Sequence, residues 1–124
     1  MGIMHAKDVM RKRVITTTPK MTLKETAALF KKHGISGAPV VCPQGRVVGV
    51  ISMTDLVWLE SEPRRVEQAM TPWSVSFEED TPVKEIARQM LAKRIHRVII
   101  TRDGELCGIV TSMDMLHALL KLLD

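Results

Sequence analysis

Gly108-Ile109-Val110-Thr111-Ser112-Met113-Asp114 repeats, step for step, the chemistry of Gly49-Val50-Ile51-Ser52-Met53-Thr54-Asp55. In each stretch a glycine and two aliphatic residues lead to a hydroxyl residue, and an aspartate follows three positions on. Outward from this pair, an offset of about 60 residues places Met10 on Met70, Lys24-Glu25 on Lys84-Glu85, Ala27 on Ala87 and Ile35 on Ile95. One residue fewer in the turn near Pro43 brings Gly45 onto Gly104 and Gly49 onto Gly108. The chain is therefore two copies of a unit of about 60 residues, each too short to bury a large core singly, and the halves are expected to pack on each other. The first copy is read as residues 1–60 and the second as 67–124, with a linker at 61–66 where Pro63, Arg64 and Arg65 interrupt the apolar pattern.

Each copy spells β-α-β-β-α, an α+β architecture. Val14-Ile15-Thr16-Thr17 and Ser74-Val75-Ser76-Phe77 read as opening strands. In the second copy Val83, Ile86, Ala87, Met90 and Leu91 form an apolar stripe of helical period, and Leu23, Ala27 and Phe30 do the same in the first. Gly34 marks the end of the first helix. Two hairpins follow. Ala38–Val41 and Arg46–Ile51 flank Pro43-Gln44-Gly45, and Val98–Thr101 and Glu105–Val110 flank Arg102-Asp103-Gly104, where Asp-Gly is a strong hairpin signal. Closing helices are expected at about Met53–Glu60 and Ser112–Leu122.

The 124 residues are 45% apolar and 26% charged, the balance of a globular protein and not of a disordered or collagenous one. No apolar run approaches the roughly 18 residues of a spanning helix. The opening Met1–Asp8 lacks the apolar stretch of a signal peptide, and Ala6 stands where a myristoylation signal wants Ser or Thr. A net charge of +4 is spread over short clusters, the longest being Arg11-Lys12-Arg13. With four aromatic residues (Phe30, Trp58, Trp73 and Phe77) there is no stacking platform for single-stranded nucleic acid. Cys42 and Cys107 build neither a disulfide framework nor a zinc site, and a cytoplasmic location without membrane attachment is expected.

The recurring Gly-h-h-[Ser/Thr]-x-x-Asp, where h is aliphatic, has two readings. In one it is a capping box, the aspartate reaching back to the cap N–H. In the other the helix start, with Ser52 or Thr111, presents donors to a phosphate, while Asp55 or Asp114 accepts hydrogen bonds from a ribose diol. Spacing does not choose between them.

The doubled unit resembles a tandem CBS domain pair, the family named for cystathionine β-synthase. The resemblance runs from about Lys7 to Lys121 and includes Asp8-Val9-Met10, Gln68-Ala69-Met70-Thr71-Pro72 and Ile35-Ser36-Gly37-Ala38-Pro39-Val40-Val41. It implies two repeats packed with pseudo-twofold symmetry, and a regulatory sensor of AMP, ADP, ATP or S-adenosylmethionine bound in clefts between them. The ligand is regulatory, and no cofactor is expected. By the same resemblance Asp55 and Asp114 hold ribose, and Ser52 and Thr111 contact phosphate. Ile35, Ser36, Gly37 and Ala38, with Ile95 to Val98, frame the base, and Thr16 and Ser76 add hydroxyls. Ile95-His96-Arg97-Val98 is similar to the His-Arg pair with which the γ subunit of AMP-activated protein kinase meets phosphates, and Arg97 offers a forked donor. Ser36-Gly37 departs from that pattern in the first copy.

No nucleophile elbow, P-loop, Gly-x-Gly-x-x-Gly or His-Glu-x-x-His is present, so an enzyme is not expected. A nucleic-acid-binding CBS protein and a ligand-free assembly module are the alternatives. Met115-Leu116, Leu119-Leu120 and Leu122-Leu123 give the last helix more apolar surface than one face hides, which predicts a homodimer. An effector protein of unknown identity would read the bound state.

Overall fold

The computed structural model describes residues 3–58, 64–72 and 75–124, with the backbone alone at Trp58. In chain order the elements are helix α1 (Ala6–Val9), α2 (Leu23–His33), strands β1 (Gly37–Val41) and β2 (Val47–Ser52), a 3-10 turn (Met53–Trp58), α3 (Val66–Ala69), β3 (Ser76–Glu78), α4 (Val83–Lys93), β4 (Arg97–Arg102), β5 (Glu105–Thr111) and α5 (Ser112–Leu123). They form two compact units, one of Ile15–Ser74 and the other of Met1–Val14 with Val75–Asp124.

In the first of these units α2 begins where Thr22 accepts from the Glu25 amide at 3.0 Å and Glu25 accepts from the Thr22 amide at 3.1 Å. It ends at Gly34, whose φ of 62° only glycine adopts without strain. Between these caps Leu23, Thr26 and Phe30 are buried. They face the antiparallel β1–β2 hairpin, paired from Gly37↔Ser52, and close a core with Val40, Ile51 and Val66.

The second unit repeats the plan around Ile86, Met90, Val98, Ile100 and Val110, with Ala6 of α1 fully buried among them. Its β4–β5 hairpin turns through Asp103 and Gly104, at φ 52° and 84°. Two successive positive φ values are what the Asp-Gly pair supplies.

The sequence expectation of an opening strand at Val14–Thr17 is corrected to a single bridge, Thr17↔Val40. In the second unit the Ile99 amide donates to the Val75 carbonyl at 3.1 Å, and β3 runs parallel to β4. The residue matching Ile99 in the first unit is Pro39, which has no N–H to give, so the ladder cannot start one residue earlier. The helix expected over Met53–Glu60 is the six-residue 3-10 turn, with Glu60 outside the described residues. Its Thr54, Val57 and Trp58 are weaker helix formers than the Leu- and Ala-rich α5. Trp73, Ser74 and the linker positions 61–63 also lie outside the described residues.

Two features were not read from the sequence. The short helices α1 and α3 open each copy, and each opening segment lies against the hairpin of the other copy. The Arg11 amide donates to the Ile109 carbonyl at 2.9 Å and the Ile109 amide returns to Arg11 at 3.1 Å, along the outer edge of β5. Thr71 does the same with Val50 on β2, at 2.9 and 3.0 Å. Spatial units and sequence copies are thus different divisions of the chain.

Candidate functional site

At the end of β5, Thr111 leaves the sheet in extended conformation and caps α5, its hydroxyl accepting from the Asp114 amide at 3.2 Å. Asp114 Oδ2 accepts from the Thr111 amide at 2.8 Å and from the Thr111 hydroxyl at 2.9 Å. The capping box is therefore formed. Asp114 is 8% exposed, and its Oδ1 accepts from Arg11 Nε at 3.1 Å.

In the first unit Ser52 and Asp55 stand at the matching places and form the aspartate's half of this arrangement. Asp55 Oδ2 accepts from the Ser52 amide at 2.8 Å and from the Ser52 hydroxyl at 3.1 Å. Ser52 Oγ also lies 2.8 Å from Thr54 Oγ1. Where Arg11 flanks β5, the neutral Thr71 flanks β2.

A carboxylate has about four acceptor positions. The two bonds from Ser52 to Asp55 both fall on Oδ2 and take neither position of Oδ1, a pair that matches both hydroxyls of a diol. Asp114 keeps one. The box and the ribose roles are thus compatible in one carboxylate, because they use different oxygens. The hydroxyl proton of Thr111 is directed to Asp114, and that of Ser52 is shared between Asp55 and Thr54. To donate to a phosphate each would have to leave its box.

The glycines that open the motif are buried under the crossing segments. A Cβ on Gly49 would stand 2.4 Å from the Thr71 carbonyl oxygen and 3.0 Å from Met70 Sδ, and one on Gly108 would stand 2.5 Å from Met10 Sδ. This explains the matching of Met10 with Met70 and of Gly49 with Gly108 in the sequence.

His96 and Arg97 reach the same end of the second unit. The His96 carbonyl accepts from the Ser112 amide at 2.9 Å, Ser112 Oγ lies 3.5 Å from His96 Nδ1, and Arg97 is paired across the ladder with Thr111. Both side chains are exposed. In the first unit the Ser36 carbonyl accepts from the Met53 amide at 2.9 Å, and Gly37 is opposite Ser52. The remaining candidates differ in what they can offer. Ala38 and Val98 are buried core side chains, and Ile35 and Ile95 pack against the same cores. A ligand would meet Ala38 and Val98 through backbone. Thr16 is half-buried and Ser76 exposed, the latter opposite Ile99.

Burial pushes the Cys107 thiol up, with the Glu79 carboxylate adding to the effect, as for an unreactive small hydrophobe. No described helix is long and apolar enough to cross a membrane. Sequence reasoning missed Arg11 and Thr71, since Arg11 looked like one member of a surface basic cluster.

A family model described as CBS domain matches twice, over residues 6–62 and 66–121. The chain belongs to the CBS domain family. This CBS pair is similar to the solved CBS domain pair of protein MJ0100 in complex with 5′-methylthioadenosine and S-adenosyl-L-methionine. The TM-score is 0.83 and the identity 31%, over 95% of this chain and 97% of that one. CBSX2 in complex with AMP shares the fold, with TM-score 0.87 and 23% identity over 97% of this chain and 98% of that one. An inosine-5′-monophosphate dehydrogenase of Methanocaldococcus jannaschii is 33% identical over 116 residues, 93% of this chain and 23% of the relative. A second such dehydrogenase, from Korarchaeum cryptofilum, is 27% identical over 94% of this chain and 24% of its own length. This chain thus spans about a quarter of these enzymes.

Proposed function

We propose that this CBS pair is a regulatory module for adenosine nucleotides or S-adenosylmethionine, with no catalysis and no cofactor of its own. Asp55 and Asp114 receive the ribose hydroxyls. His96 and Arg97 meet the phosphate, and backbone at Gly37-Ala38 and Arg97-Val98 faces the base. The observation that carries this reading is the 31% likeness, over almost the whole of both chains, to a CBS pair in complex with two adenosine compounds.

A thermal-shift panel of AMP, ADP, ATP, S-adenosylmethionine and NAD tests it. A ligand at about a hundredfold over its Kd stabilises by about 2.7 kcal/mol, which raises Tm by several degrees for a chain of this size. At least one adenosine compound is expected to do so, and Asp55→Asn to reduce the shift. A flat panel, with a salt-sensitive shift on RNA or DNA instead, replaces the reading with nucleic-acid binding.

The same protein is proposed to be a homodimer. Leu116, Leu119, Leu120, Leu122 and Leu123 on α5 are each about half exposed or more. Such a contiguous apolar face favours a second copy over water. Sedimentation is expected to give a dimer at micromolar concentration, and a strict monomer at high concentration overturns the expectation.

A further inference from the structure

We propose that Arg11 is a built-in competitor for the second oxygen of Asp114, so that the two motif aspartates bind adenosine compounds unequally and Asp55 fills first. This rests on the ribose assignment above and adds the residue that makes the two halves differ.

Arg11 is fixed from both sides. Its backbone exchanges two hydrogen bonds with Ile109, at 2.9 and 3.1 Å, so its Cα cannot drift from the edge of β5. Its Nε then reaches Asp114 Oδ1 at 3.1 Å. The carboxylate is 8% exposed while the guanidinium side chain is 63% exposed. A buried charged acceptor holds its donor more firmly than a surface ion pair does, whereas the solvated arginine can swing away. The contact therefore opposes a diol without closing the position for good.

Thr71 occupies the matching place in the other unit, with the same two backbone bonds to Val50. Its side chain is neutral and short, and cannot offer Asp55 the guanidinium that Arg11 offers Asp114. A diol arriving at Asp55 meets no guanidinium from the position that matches Arg11. At Asp114 it must also break a charge-assisted hydrogen bond, and it finds one acceptor position already taken.

Adenosine is the suitable probe, because it carries the diol and no phosphate for the released arginine to attract. Calorimetric titration of the full chain in an Asp55→Asn background reports Asp114 alone. Adding Arg11→Thr, which copies Thr71, is expected to tighten adenosine binding about three- to tenfold, the scale of one partly exposed ion pair. Arg11→Gln, which keeps most of the side-chain stem and loses the charge, is expected to tighten it likewise. In an Asp114→Asn background Arg11→Thr is expected to leave Asp55 binding unchanged. If adenosine still binds at Asp114 but neither substitution tightens it, the competitor role is overturned while the ribose assignment stands. If adenosine binds in neither background, the ribose assignment falls and the competitor role falls with it.

Discussion

Gly49→Ala is expected to destabilise the protein by about 1–3 kcal/mol, seen as a fall in Tm of about 5–10 °C. The sign is the informative part. In a strand whose φ and ψ any residue can adopt, replacing glycine by alanine normally helps, because it restricts the unfolded chain. Here the added methyl would lie 2.4 Å from the Thr71 carbonyl oxygen, a backbone atom held by its own bond to the Val50 amide at 3.0 Å. The methyl can be admitted only by lifting Thr71 off β2. Gly108→Ala meets a softer obstacle, since its nearest neighbours are Met10 Sδ at 2.5 Å and Cγ at 2.8 Å, with the Arg11 carbonyl oxygen further off at 3.1 Å. A methionine side chain can turn aside. Met10→Ala is accordingly expected to recover part of the loss in Gly108→Ala, while Met70→Ala recovers little in Gly49→Ala. Chemical denaturation of the four single and two double variants measures this. A Gly49→Ala protein as stable as the parent would show that Thr71 does not press on β2.

Asp114→Ala is expected to cost about 2–4 kcal/mol, more than Asp55→Ala at about 1 kcal/mol. Asp114 holds three donors: the Thr111 amide, the Thr111 hydroxyl and Arg11 Nε. Its removal leaves the Thr111 amide at the start of a twelve-residue helix without its acceptor and the Arg11 guanidinium without its partner, while the Thr111 hydroxyl cap and the Arg11–Ile109 backbone bonds remain. Asp55 caps only the six-residue 3-10 turn and takes two bonds from Ser52. Asp114→Asn retains an acceptor for the cap but loses the charge facing Arg11, and is expected to fall between the parent and the alanine variant. Equal melting of Asp114→Ala and Asp55→Ala would remove the energetic distinction between the two boxes.

The parts of the fold legible in the sequence are those decided locally. Asp103-Gly104 fixes a turn because few other pairs accept two positive φ values, and Thr22 with Glu25 fixes a helix start because the reciprocal bonds span three residues. The repeat and the paired aspartates were legible for the same reason. What was not legible depends on partners far away in the chain. Val14–Thr17 has the composition of a strand, and the missing N–H of Pro39, about 20 residues on, ends that expectation. Arg11 and Asp114 are 103 positions apart, so nothing near either residue announces the other. The first repeat's closing helix was overestimated because the motif at its start matches α5 while the residues after it do not. Arg94 ends α4 at φ 54°, where Gly34 ends α2, so the second helix lacked the glycine that marked the first.

The crossing of Met10-Arg11 onto β5 and of Met70-Thr71 onto β2 bears on how such a chain could have arisen. A lone ancestral half would have had an uncovered sheet margin and an opening segment with no seat of its own. Two such molecules could complete one another only by trading those segments. Duplication within one gene then converts a trade that depends on concentration into one that each newly made polypeptide performs by itself.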